Sequence, residues 1–461
     1  MKPKYFLALG LLVLGLGSCG ESFFEQYPSN NITEGNFYKT DDDFNQGVVA
    51  CYAKLKTQMS FHLTEIGYRG DENVLESMAV STQNRYDIDH FAETANNGIL
   101  NDIWNAWYNG IYRCNDVLDH MTGAKIANYD KYRGECLFLR SWWYFNLYRV
   151  FGVVPITRTV VTPAAAKLIP RCTEEEMYTL LTEDLAEAAR LLPPTPGPEK
   201  ARVANIAAYT LLAKVYLTFG KPAEAKTALE EAMKNTSYGL ESTTKKVFDV
   251  GNKMNREIIF ALYYNKTNDN GHGYWYSANT DVLADINNPT PTFKAIYDSE
   301  KDNRLPLISS YTKIKDNLFA MTKWYDTYDA TYTTQVGNDF PHLRYADVVL
   351  MYAEALAESG GSLGDALEWL NKTRTRAGLD ELTTDEVKSL AEFRRELAAE
   401  RGREFALEGH RWFDLVRLGL AVEHFRNLGY TLDAHNLIFP IPQNQIEIVN
   451  NPSILWQNPG F

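Results

Sequence analysis

The chain has 461 residues, of which 45% are hydrophobic, so it is long enough for one large core or two intertwined lobes. Its 59 acidic residues outnumber 46 basic ones, which gives a formal net charge of −13. A surface of this sign repels nucleic acid and anionic lipid but is indifferent to a neutral ligand, so we expect no nucleic-acid partner.

The N-terminal segment has the features of a lipoprotein signal peptide. Lys2 and Lys4 precede an apolar run over positions 5–16 that is too short to span a bilayer. The run ends in LGSC at positions 16–19, which resembles the bacterial lipobox. We expect residues 1–18 to be removed and Cys19 to be acylated, which would anchor the protein in the outer membrane. An ordinary secretory signal is the alternative.

Helical periodicity then dominates the chain. Thr40 is the predicted N-cap of a helix over 41–59, and further helices are predicted from about Asn101 and over 136–151. Thr173 and Glu176 form a predicted capping box for the next helix. Four tryptophans lie on the apolar stripes of predicted helices and are expected to be structural: Trp104, Trp107, Trp143 and Trp412.

The stretch over 209–232 fits one tetratricopeptide repeat. Ala213 and Ala225 allow two antiparallel helices to approach closely, and Tyr216 and Leu229 fill the groove between them. Residues 344–358 and 365–376 resemble a second, divergent repeat, and the earlier helices can supply others because a lone repeat cannot bury its apolar face. The predicted fold class is therefore dominated by α-helix, on a tetratricopeptide-like scaffold.

The character of the sequence changes after residue 235. Positions 236–340 are rich in Tyr, Asn, Asp, Thr and Gly, which predicts a loop-rich insert with small strands. Helices resume over 342–418, and a proline-marked, extended tail is predicted over 437–461. We therefore divide the mature chain into a helical region over 19–235 and a C-terminal region over 236–461.

Four cysteines follow Cys19, without a CxxC motif or regular spacing: Cys51, Cys114, Cys136 and Cys172. The first three lie in predicted helices, which favours buried free thiols. A disulfide formed after export is the alternative.

Several blocks share one family pattern in order along the chain: ECLFLRS at 135–141, FGVVP at 151–155, LRYAD at 343–347, YAEA at 352–355, EGHRWFDL at 408–415 and FPIP at 439–442. Together they resemble the SusD/RagB family, although Cys136 and Ser141 replace the usual alanines of the first block. The resemblance implies a surface-exposed outer-membrane lipoprotein of Bacteroidota. It also implies nutrient capture for a TonB-dependent porin of the SusC type.

The block at 408–415, together with Glu404 just before it, is rich in charged residues. Glu404, Glu408, Arg411 and Asp414 follow one another at steps of three or four residues. This spacing predicts pairing along one helix edge, with further pairing to Arg344 or Arg417. We expect a structural polar network here and no ligand contact.

No motif of an enzyme is present in the sequence. It contains no HExxH, GxSxG, GxxxxGK[ST] or strand-following GxGxxG pattern, and we expect no catalytic residue and no cofactor. Positions 71–73 and 268–270 could lend oxygens to calcium, but acidic loops are more often simply solvated.

Aromatic loops are the candidates for ligand contact, because a sugar needs flat rings beside hydrogen-bonding side chains. The segments GHGYWY at 271–276, WYDTY at 324–328 and NRYD at 84–87 have this composition, and the last is placed in the loop between the first two helices. The candidate residues are Tyr274, Trp275, Tyr276, Tyr328, Asn84, Arg85 and Tyr86. Trp324 is expected to belong to the core.

The sequence therefore predicts a noncatalytic, surface glycan-binding lipoprotein that delivers its ligand to the porin. A peptide-capturing member of the same family is the first alternative. A glycoside hydrolase, which needs two facing carboxylates, and a tetratricopeptide scaffold for protein partners are the others.

Overall fold

The computed structural model describes residues 37–72, 83–197, 199–265, 277–279, 289–315, 318–326 and 337–461. Its helices in the N-terminal half are α1 Asp41–Gly67, α2 Gln83–Asp89, α3 Gly98–Met121, α4 Tyr129–Phe151, α5 Pro163–Ala166, α6 Glu174–Leu191, α7 Asn205–Thr218, α8 Pro222–Met233 and α9 Thr244–Val247. Those that follow are α10 Pro291–Lys294, α11 Leu305–Ser309, α12 Tyr345–Glu358, α13 Leu363–Arg376, α14 Leu390–Glu404, α15 Arg411–Arg417, α16 Ala421–Asn427 and α17 Gln443–Val449. Single 3₁₀ turns lie at Val250–Asn252, Thr322–Trp324 and Ala434–Leu437.

Two helix starts are fixed by capping boxes: the predicted N-cap Thr40 forms one, and the predicted box of Thr173 is the other. The Thr40 hydroxyl accepts from the Asp43 N–H of α1 while the Asp43 carboxylate accepts from the Thr40 N–H. Thr173 and Glu176 make the same reciprocal pair at the start of α6. The helix α1 runs to Gly67, eight residues past the predicted end at 59.

The tetratricopeptide prediction is confirmed. Helices α7 and α8 pack as a hairpin through a three-residue turn in which Gly220 has a φ of +67°. Ala213 and Ala225 are fully buried between them. The second predicted repeat is the α12–α13 hairpin, and α12 packs on α8. Because α3, α4, α6 and α7 also pack in succession, each helix covers the apolar face of the next.

The segment that follows α8 carries the short strands, as its composition indicates. The strand β1, Ile258–Leu262, pairs antiparallel with β5, Phe340–Arg344, and Phe260 lies opposite Leu343. A second antiparallel sheet has the order β2–β4–β3, from Ser277–Asn279, Leu318–Met321 and Tyr311–Lys315. The β1–β5 pair joins the insert to the helical scaffold, because α12 begins directly after β5.

The C-terminal tail differs from the prediction of a wholly extended segment. It contains α17, which begins directly after Pro442. Proline stops a helix that would run into it from the N-terminal side, but it is tolerated at the start of a helix. The proline pattern therefore marks the boundary of α17 and does not exclude it.

The core is aromatic and helical. All four of Trp104, Trp107, Trp143 and Trp412 are buried, as predicted. The predicted buried thiols are confirmed as well, since Cys51, Cys114, Cys136 and Cys172 are all free and buried. Within the described ranges, none of the helices is both long and apolar enough to cross a membrane.

Candidate functional site

The charged block near the C-terminus is a buried ionic network built around Arg344. Its guanidinium donates to Glu257 Oε1 at 2.6 Å, to Glu404 Oε1 at 2.8 Å and to Glu408 Oε2 at 2.8 Å. Lys323 pairs with the same Glu408 at 2.7 Å. The network therefore joins β5, α14 and the insert, which gives it a structural role.

The prediction that these charges pair along one helix edge is wrong. Helix α14 ends at Glu404 and α15 begins at Arg411. Between them, Leu407 and Gly409 have φ values of +64° and +75°, so the chain turns and the helical spacing is lost. Arg411 consequently reaches Asp71 at 2.8 Å, far away along the chain.

The rest of the block forms a second group of ion pairs. Asp414 accepts from Arg401 at 2.7 Å and from Arg417 at 2.9 Å. Burial alone would raise the pKa of Asp414, but the two arginines hold it below its ordinary value. The predicted partner Arg417 is thus confirmed, through a step of three residues within α15.

The segment around residue 85 is a short helix, α2, and not the predicted loop. The loop prediction rested on the polar composition of NRYD, but these residues are compatible with one helical turn when neighbours support it. The amide of Asn97 donates to Asn84 O at 2.9 Å, and the Gly98 N–H lies 3.4 Å from Asn84 Oδ1. These contacts dock α2 on the start of α3.

Two rings stack on the surface of α2. Tyr86 and His90 lie one helical turn apart, with ring centroids 3.8 Å apart and planes tilted by 15°. Both are half-buried, while Asn84 is exposed. The surface therefore combines a pair of flat rings with a neighbouring amide, which is the combination that a sugar requires.

Arg85 precedes Tyr86 in α2, and Tyr430 packs on Phe91, the residue after His90. Arg85 Nε lies 3.3 Å from Glu65 Oε1. Burial raises the pKa of Glu65 to about 7, against the opposing effect of Arg85. Burial also raises the pKa of Tyr430, and the negative charge of Asp89 adds to the effect. The sequence analysis did not identify His90 or Tyr430 as candidate residues. His90 could have been found from its position four residues after Tyr86, which places both side chains on one face of a helix.

The remaining candidate residues lie outside the part of the chain that the structure describes. These are Cys19, Tyr274, Trp275, Tyr276 and Tyr328. Trp324 is 1% exposed and packs on Phe248 and Phe340, so its prediction as a core residue is confirmed.

The calcium candidates at positions 71–73 are engaged in protein contacts where they are described. Asp71 accepts from Arg411 through both oxygens, and Oδ2 lies 2.7 Å from His424 Nε2. Glu72 accepts the Leu407 N–H at 3.0 Å. Over the described ranges, no group of three or more His, Cys, Asp or Glu side chains can hold a metal ion. Positions 268–270 lie outside those ranges.

Two family models match the chain. The SusD family matches residues 299–461, and a SusD-like family described as starch-binding and associating with the outer membrane matches residues 27–217. These segments contain the C-terminal ionic block and most of the helical scaffold, respectively.

One known protein resembles the chain along nearly its whole length, and another resembles about a third of it. SusD-like protein P2 of Formosa agariphila is 26% identical, over 99% of this chain and 100% of that protein. The starch-binding protein SusD of Bacteroides thetaiotaomicron is 32% identical, over 31% of this chain and 26% of that protein.

A solved structure, named as a laminarin-binding SusD-like protein, superimposes with a TM-score of 0.76. It is 25% identical, over 92% of this chain and 100% of that one. The ordered sequence blocks, the helical hairpins with their buried ionic network and these full-length similarities agree, and the chain belongs to the SusD-like family.

Proposed function

We propose that the protein is a noncatalytic, lipid-anchored glycan-binding protein of the outer-membrane surface, which passes its ligand to a TonB-dependent porin of the SusC type. One observation carries the proposal: the similarity to SusD-like proteins extends over the whole chain, and two similar proteins are named as binding starch and laminarin. Both of these ligands are neutral glucans, which the acidic surface of this chain does not repel.

The α2 surface supports glycan contact. A ring such as Tyr86 offers an apolar face to the CH groups of a sugar, and the amide of Asn84 can bond the hydroxyl rim. The stacked His90 holds the Tyr86 ring in place, so little side-chain entropy is lost when a sugar binds. We include Tyr274, Trp275, Tyr276 and Tyr328 in the proposed site on their composition alone.

Binding without hydrolysis is supported by how the buried acids are used. A glycoside hydrolase needs two carboxyl groups that flank one bond in a cleft. Glu257, Glu404 and Glu408 each pair with Arg344 in the interior instead. We expect that incubation with starch and laminarin oligosaccharides yields no new reducing ends. Turnover that disappears in one Asp or Glu variant would contradict this part of the proposal.

Glycan binding is tested by calorimetric titration of three variants with oligosaccharides of starch and of laminarin: two variants at proposed contact residues and one control. Tyr86→Ala and Trp275→Ala should each weaken binding about tenfold or more, as a stacked ring contributes at least about 1.4 kcal/mol. The matched control is Tyr112→Ala, because Tyr112 is 46% exposed on α3. It lies 14 residues after Gly98, roughly 21 Å along the helix from the contact with α2.

The control variant should bind the oligosaccharides as tightly as the parent protein does. The melting temperatures of all three variants should remain close to that of the parent protein. Equal affinity in all three variants would refute the proposed site. Loss of stability without selective loss of binding in Trp275→Ala would assign that ring to the core.

The anchor and the partner are tested separately. Cys19→Ala should abolish acyl labelling and release the protein from membranes in a strain that lacks the porin. Persistent membrane association of that variant would show that Cys19 is not the anchor. Co-purification of the porin with the parent protein tests the delivery step.

A further inference from the structure

A cavity of about 460 Å³ lies between α4, α7 and α15, and none of its lining residues belongs to α2. Its apolar wall consists of Tyr148, Val153, Phe413, Val416, Leu437 and Ile438. Its polar lining includes Arg149, Lys214, His410 and Arg417. The cavity thus places several basic side chains beside hydrocarbon.

Arg149 is the charged side chain of this cavity that lacks a counter-ion. Its guanidinium lies 3.9 Å from the ring centroid of Phe413 and 4.7 Å from that of Phe145. Nη2 donates to the amide oxygen of Asn146, and the buried Nε has no hydrogen-bond partner. Among the described carboxylates, none lies within ion-pair distance of Arg149.

The neighbouring basic side chains are already neutralised. Lys214 pairs with Asp347 at 2.5 Å, Arg401 bridges Asp347 and Asp414 at 2.9 and 2.7 Å, and Arg417 pairs with Asp414 and with Glu354. This group has three cations and three carboxylates, so none of these carboxylates is left over as a counter-ion for Arg149.

Two further titratable side chains, His410 and Glu174, line the cavity. Burial lowers the pKa of His410 well below its ordinary value, and nearby Lys214 adds to the effect, so this ring is neutral. Glu174 is exposed at the rim, where it accepts from the Tyr148 hydroxyl at 2.8 Å and makes no ion pair with Arg149. Burial lowers the pKa of Arg149 to about 9, which still leaves it a cation at neutral pH.

We propose that this cavity binds a small organic carboxylate, with Arg149 as its counter-ion and the apolar wall against its hydrocarbon part. A guanidinium matches the geometry of a carboxylate, and a half-buried cation without an ion-pair partner gains more from such a group than an exposed one does. The apolar wall favours an aliphatic acid over an inorganic anion or a hydroxylated acid. This site is independent of the proposed glycan surface.

The probes are butyrate, acetate, glucuronate and sulfate at constant ionic strength, added to the full mature protein and followed by calorimetric titration. Butyrate should bind most tightly, because only its chain covers the apolar wall. Arg149→Gln should weaken butyrate binding at least tenfold. Arg190→Gln is the matched control, since its side chain is 69% exposed on α6; it should bind butyrate as the parent protein does.

A second variant keeps the test decisive if Arg149→Gln fails to fold. Val416→Phe narrows the cavity and retains every charge, so it should weaken butyrate binding at least tenfold as well. Unchanged butyrate binding in Val416→Phe, or equal binding in Arg149→Gln and Arg190→Gln, would overturn the site. Tighter binding of sulfate or glucuronate than of butyrate would overturn the ligand class. Oligosaccharide binding should be unaffected by either variant, which separates this result from a failure of the proposed glycan function.

Discussion

Replacing Arg344 with methionine should destabilise the protein strongly without affecting ligand contact. Arg344 is 1% exposed. The network around it contains five cations, Arg304, Lys323, Arg344, Arg376 and Arg403, and five carboxylates, Glu257, Asp302, Glu400, Glu404 and Glu408. Methionine fills much of the same volume but leaves four cations against five buried carboxylates.

The expected loss follows from that imbalance. Removing one partner of a buried ion pair costs about 3–5 kcal/mol of unfolding free energy. The melting temperature of a large domain falls by about 2 °C per kcal/mol, so a decrease of about 6–10 °C is expected in thermal melts. The control is Arg395→Met, because Arg395 and its partner Glu423 are exposed and such pairs contribute about 0–1 kcal/mol.

A double variant tests the electrostatic cause. Adding Glu404→Gln to Arg344→Met restores the balance at four cations and four carboxylates. Every remaining cation then keeps a carboxylate partner, because Arg304 still pairs with Glu400, Arg376 with Glu257 and Lys323 with Glu408. The double variant should therefore melt above Arg344→Met. A double variant that melts lower, or an Arg344→Met protein that melts within about 2 °C of the parent, would refute the charge-balance reasoning.

Three further predictions concern stability. Arg411→Ala removes the guanidinium that donates to both oxygens of the buried Asp71, so the melting temperature should fall or expression should be lost, while a stable variant that lost only binding would reverse the structural role. Burial raises the pKa of Glu72 to about 8 from its ordinary 4.5. As pH rises from about 4.5 to 8, the unfolded state releases this proton before the folded state does, so the melting temperature of the parent should fall relative to that of Glu72→Gln. Melting temperatures of the two proteins that change in parallel across that pH range would contradict this. Gly110→Ala should lower the unfolding free energy by about 1–3 kcal/mol, because the added Cβ would overlap the Trp143 ring. An unchanged midpoint of chemical denaturation would contradict that close approach.

Local sequence patterns were sufficient for the helical scaffold. The capping boxes at Thr40 and Thr173 involve residues only three positions apart, so the sequence contains both partners of each contact. The hairpin of α7 and α8 was equally predictable, because Ala213 and Ala225 mark the close approach and the intervening turn is short. Helical periodicity also identified the structural tryptophans.

The candidate site was predicted less completely. Asn84, Arg85 and Tyr86 were identified from composition, but their helical conformation depends on contacts with Asn97 and Gly98 at the start of α3. Tyr430 joins them from far along the chain, and its sequence context is that of an ordinary loop residue. Composition indicates which residues can bind a sugar, whereas their proximity depends on how distant helices pack.

The sequence by itself determined the long helices of the scaffold, the repeat pairing and the family, because these depend on periodicity, caps and ordered blocks within short stretches. Only the tertiary structure decided the partners of the buried charges. Arg411 pairs with Asp71 across 340 positions, and Arg344 gathers carboxylates from 60 to 87 positions away. A buried charge is stable only when the fold places an opposite charge next to it. That partner can lie anywhere along the chain, so a local sequence pattern does not identify it. The same holds for Arg149, whose missing counter-ion becomes visible only when every neighbour in the cavity is known.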